Sequence, residues 1–137
     1  RPFVTPQQMC RAHAQINTTR KEPTSMSDPV KLYDEADKLK DEGKLEEAAA
    51  KFEESLAADA NYALAHSALA VVLQKLSRHE DAISHARRVC ELEPNDPFSF
   101  TALSVTYQRA FAGTQNMQYI RMAEDAMEQS RILRSRH

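Results

Sequence analysis

The sequence predicts an all-α fold of six helices, paired as three hairpins that stack along one axis. Three observations predict it. Glycine falls to 2 of 137 residues while alanine, leucine, glutamate and lysine abound, a composition that suits helices and denies strands their tight turns. Small and apolar residues recur at a step of 34, in Ala36 and Ala70, in Ala48 and Ala82, and in Leu39, Leu73 and Tyr107. A period of that size marks stacked supersecondary units. Asp28-Pro29 and Asp96-Pro97 stand 68 residues apart, twice the step, and Asn61 opens the segment between them. Aspartate as an N-cap accepts orphan N–H groups, and proline in the first turn has no N–H to waste.

The elements follow in order. The first frame, 29–62, predicts helices over about 29–42 and 45–58, with Gly43 closing the first in a left-handed cap. The second frame, 63–96, predicts helices over about 62–76 and 79–92, and Pro94 blocks further extension. The third frame, 97 to about 134, predicts helices over about 97–112 and 117–134. Its register slips by seven: Ala123, Met127 and Ser130 then parallel Ala48, Phe52 and Ser55. An insertion of about two turns is therefore expected near 111–118, with Gly113 as the break. Residues 27–134 form the domain, and 135–137 a basic end. Residues 1–26 hold three of the six prolines and little apolar periodicity, and are read as a flexible leader or linker of native or added origin.

Charge and composition exclude several functions. The formal net charge is −2, with a surplus of +3 on residues 1–26, +3 on 131–137 and −8 between. That acidic body, without interleaved aromatics, argues against a nucleic-acid partner. No run reaches the ~18 apolar residues of a membrane span. Cys10 and Cys90 lie in unlike contexts, so no structural disulfide and no oxidising compartment is expected, which leaves a cytoplasmic reading. No HExxH, Cys-x-x-Cys or glycine-rich phosphate loop occurs, so no metal, cofactor or catalytic residue is assigned. His66, His79 and His85 could be drawn as a cluster, but His79 and His85 are six apart and do not share one helical face well, so no metal site is read from them. Glu47 and Lys51 are spaced for an i,i+4 pair.

The residues Gly43-Lys44-Leu45-Glu46-Glu47-Ala48, followed by Phe52 and Leu56, resemble the second helix of a tetratricopeptide repeat. His79-Glu80-Asp81-Ala82-Ile83 and Val89-Cys90-Glu91-Leu92-Glu93-Pro94-Asn95 resemble the same element. The resemblance spans about 29–134, strongest in the first two frames. Position 60 is Ala where the family closes on Pro, and Ala86 stands where a large aromatic is common. The resemblance implies a right-handed α-solenoid and a non-catalytic scaffold that binds a protein or peptide in a concave groove. The groove positions it implies are Tyr33, Asp37 and Lys40, then Leu64, Ser67, Val71 and Gln74, then Phe98, Thr101, Val105 and Gln108. Family members that clamp acidic chaperone tails use Lys, Asn, Asn, Lys and Arg. Tyr33, Asp37, Ala68, Phe98 and Ala102 stand there instead, so that clamp is not expected.

Helix 62–76 is apolar almost all round, and stacking covers only two of its sides. Leu64 and Val71 are thus expected to face a bound segment. The final helix carries Met117, Tyr119, Ile120, Met122, Met127, Ile132 and Leu133, more apolar surface than one neighbour needs. The alternative function is a self-assembling structural protein that forms a homo-oligomer through this helix and the first hairpin.

Overall fold

The computed structural model describes residues 28–136; the leader assigned to 1–26 lies outside them. Six helices run along these residues: α1 (Pro29–Asp41), α2 (Leu45–Ala58), α3 (Ala63–Lys75), α4 (His79–Leu92), α5 (Pro97–Thr114) and α6 (Gln118–Ser135). Each consecutive pair is an antiparallel hairpin, and each hairpin packs on the next as an all-helical solenoid. Among the described residues there are no strands, and no helix is long and apolar enough to cross a membrane.

The Asp-Pro starts behave as their chemistry requires. Asp28 Oδ1 accepts from Val30 N at 3.1 Å, and Asp96 Oδ1 from Phe98 N at 3.0 Å. The hairpin turns repeat with the same step. Gly43 has φ +83°, and Ser77, 34 residues later, has φ +63°. Behind each, the next amide reaches back five residues: Lys44 N to Leu39 O, and Arg78 N to Leu73 O, both 2.9 Å. Ser77 therefore holds a left-handed backbone without the freedom glycine would give it.

The third hairpin departs from the pattern. Gly113 is not the break: it lies inside α5, and Gln115 takes the left-handed position at φ +63°. α5 gains about one turn over α1 and α3, with 18 residues against 13. Gly113 serves close approach instead. A Cβ there would collide with the imidazole Nε2 of His79 at the start of α4, so this turn of α5 can lie against α4 only without a side chain.

Two apolar clusters fill the stack. The first joins Ala36, Ala48 and Phe52 of the first hairpin to Leu69, Val72, Leu73 and Ala82 of the second. The second joins Ala70, Ile83, Ala86 and Cys90 to Leu103, Tyr107, Ala110, Ala123 and Ala126. Alanines mark the helix crossings, where the absence of bulk permits close approach. Buried serines lock the hairpins across their axes. Ser55 Oγ donates to Pro29 O at 2.8 Å, Ser104 Oγ donates to Ala123 O at 2.8 Å, and Ser130 Oγ shares a 2.7 Å hydrogen bond with Thr101 Oγ1. Cys90 donates its Sγ–H toward Ser99 O at 3.4 Å, and burial pushes its thiol up to about 11, so it remains protonated and unreactive at neutral pH. Lys51 pairs with Glu35 at 3.1 Å and Glu54 at 3.6 Å. The expected i,i+4 pair with Glu47 is not among its ion pairs.

Candidate peptide-binding groove

The first helices of the hairpins, α1, α3 and α5, carry an apolar pattern on their outward side. The 34-residue step aligns Val30, Leu64 and Phe98 as one row, and Asp37, Val71 and Val105 as a second, seven residues on and hence two turns along the same helical face. Leu64 is 59% exposed, Phe98 73%, Val71 39% and Val105 37%. These residues resist burial for a topological reason: α3 already buries Leu69, Val72 and Leu73 against the first hairpin and Ala70 against the third. A helix apolar on every side has only so many neighbours in a stack. Between the amino-terminal ends of α3 and α5, Leu64, Ser67, Phe98 and Ala102 border a cleft of about 210 Å³. Glu93 and Asp96 stand on its rim.

The remaining expected groove residues divide. Tyr33 is half-buried and packed, edge-on to Phe52 at 5.4 Å between ring centroids and against Tyr62 at 5.7 Å, so it braces the first hairpin more than it projects. Asp37 is tied to Lys40 on its own helix at 3.2 Å. Ser67 is half-buried at the cleft. Thr101 is turned toward α6, where it bonds Ser130 and accepts from Arg134 Nη2 at 3.1 Å. Gln74 is half-buried with its Oε1 unpaired, and Gln108 is exposed but gives its Nε2–H to Ser104 Oγ at 3.2 Å. Val30, 53% exposed, was not among the sequence-derived positions. Stepping back 34 residues from Leu64 would have found it.

The self-association face divides in the same way. Met117, Met122 and Met127 are exposed, and Ile120 and Ile132 are half-buried. Tyr119 packs on the core beside Tyr107, with centroids 6.0 Å apart, and Leu133 is a core residue at 6% exposure. Leu133 is therefore withdrawn from that face, because α6 turns it toward α5.

One polar pair escaped the sequence reading. His66 of α3 and His85 of α4 meet Nδ1 to Nδ1 at 2.9 Å, and His66 Nε2 lies 2.8 Å from Ala60 O. A carbonyl only accepts, so His66 carries its proton on Nε2 and its Nδ1 accepts from His85 Nδ1–H. Desolvation, then the neighbouring His66, lowers the His85 pKa from 6.5. Nineteen residues of sequence separation hid this contact; only the pairing of α3 with α4 creates it. Among the described residues, no group of three or more potential ligands is assembled for a metal ion.

Solved structures share this architecture. The second tetratricopeptide domain of Spaghetti (RPAP3), bound to an HSP90 peptide SRMEEVD, superposes with a TM-score of 0.65 at 21% identity, over 80% of this chain and 95% of that one. The chain has the tetratricopeptide-repeat fold. MamA from Desulfovibrio magneticus RS-1 matches with a TM-score of 0.64 at 20% identity, over 92% of this chain and 74% of its own. A MamA double mutant from the same strain gives 0.55 at 18% identity, over 80% and 76%. No protein-family model and no curated protein matches the sequence.

Proposed function

We propose that the chain is a non-catalytic interaction scaffold that holds a peptide segment of another protein across α1, α3 and α5. The observation that carries this reading is the pair of exposed rows, Val30–Leu64–Phe98 and Val71–Val105, flanking a cleft between hairpins. Side chains of that size are left in water where a ligand covers them. That the Spaghetti domain holds a peptide on the same architecture supports the reading. The lining selects the ligand: an apolar side chain for the cleft between Leu64 and Phe98, with a basic residue beside it to meet Glu93 and Asp96. The acidic tail of a chaperone does not fit, because Tyr33, Asp37, Ala68, Phe98 and Ala102 offer it no cation or amide.

A random-peptide display library screened on the full chain tests this. Selected peptides carry an aromatic or aliphatic anchor next to Lys or Arg. Val71→Glu and Leu64→Asp abolish their capture while helicity stays unchanged. Capture that survives in both variants, or selection of acidic peptides, refutes the groove.

A further inference from the structure

We infer that the outer edge of the third hairpin is a docking surface for a second copy of this chain, joined edge to edge about a two-fold axis near Met127. The 34-residue register identifies the edge. In the first hairpin the matching surface, Ala36, Ala48 and Phe52, is covered by Leu69, Val72 and Leu73 of α3. In the third hairpin it is formed by Ser104, Phe111, Ile120, Ala123 and Met127, and these residues border an open cleft of about 470 Å³. Phe52 is wholly buried, whereas Met127, its counterpart by the Ala48-to-Ala123 register, is 38% exposed. Among the described residues no further helix lies against it.

Charge decides which occupant fits. A head-to-tail neighbour would offer α1, whose residues equivalent to Leu69, Val72 and Leu73 are Glu35, Lys38 and Leu39, the first two of them exposed charges. Placing that face on Met127 and Ile120 would strand charges against an apolar surface. Open-ended stacking through the first hairpin is thereby disfavoured. The edge is instead complementary to itself. Along α6, Glu124 stands three residues before Met127 and Arg131 four residues after it, on one stripe. Two copies of α6 crossing antiparallel at Met127 set each Glu124 against the other's Arg131, so both ends of the contact attract. Arg131 now pairs with Glu128 on its own helix, an exposed i,i+3 contact that is readily exchanged.

Sedimentation equilibrium of the full chain over a hundredfold range of concentration is the test. The chain converts from monomer to dimer and stops there. Met127→Glu keeps it monomeric with its helicity intact, since that side chain is not in the core. Glu124→Arg and Arg131→Glu each weaken dimerisation at least tenfold, and the two together restore it. A monomer at every concentration, assemblies larger than two, or a dimer indifferent to all these changes overturns the inference. Peptide capture, read on the same samples, is a separate measurement, so failure here leaves the groove standing and failure of the groove leaves this edge standing.

Discussion

The two ends of the stack are built from the same repeat and finished in opposite ways. At the start, α1 turns Glu35, Lys38 and Glu42 outward, where an interior repeat has Leu69, Val72 and Leu76. At the far edge, Phe111, Ile120 and Met127 keep the apolar character of an interior joint but no helix among the described residues covers them. The comparison teaches that burial in a solenoid is decided by position in the stack and by residue type together. Nearest-neighbour contacts carry the stability, so the same socket is structural when filled and, in the dimer proposed above, a docking edge when open.

Truncations at matched positions should expose that difference most strongly. Phe52→Ala removes a wholly buried ring from the joint between the first and second hairpins and should cost about 3–5 kcal/mol in chemical denaturation. Met127→Ala, measured dilute enough to keep the chain monomeric, should cost no more than about 0.5 kcal/mol. Equal losses at the two sites would mean that the far edge is packed like an interior joint.

Gly113→Ala should come next. The new methyl meets His79, with an overpacking cost of roughly 1–3 kcal/mol that exceeds the gain of about 1 kcal/mol in helix propensity. Adding His79→Ala should reverse the sign, because the obstacle is gone. Stabilisation by Gly113→Ala alone would show that α5 does not need its close approach to α4. Ser77→Gly should stabilise by roughly 0.5–1 kcal/mol, relieving the left-handed residue that Gly43 tolerates at the matching turn.

The smallest expected effect is a pH dependence confined to the second hairpin. The His85 pKa is lower folded than unfolded, so between the two values the unfolded chain binds more protons. Stability from this source is complete above pH 6.5 and is lost as pH falls through the folded value. The neighbouring Asp81 opposes the shift and Arg78 adds to it. Thermal melts of wild type against His85→Gln should converge as pH is lowered from 7. A pH-independent difference would remove the histidine pair from the account.

Much of the fold was legible because its signals are local or periodic. Asp28-Pro29, Gly43, Pro94 and Asp96-Pro97 punctuate the helices through backbone chemistry alone, and the recurrence of Ala36, Ala48, Ala70 and Ala82 gave the packing. The exposed row of Leu64, Val71, Phe98 and Val105 was legible for the same reason. What failed depended on contact between helices. Gly113 read as a breaker because the sequence does not reveal that His79 lies against it. Thr101 read only as a groove residue because its bond to Ser130 is made across two helices. The direct bond between His66 and His85 could not be read because it forms only where α3 pairs with α4.

Hydrogen exchange on the chain with and without a library-selected peptide tests the central claim most directly. The account predicts added protection along α3 and α5, centred on the turns that carry Leu64, Val71, Phe98 and Val105, and little change in α2 and α4. Protection concentrated on α2 and α4 instead would contradict it.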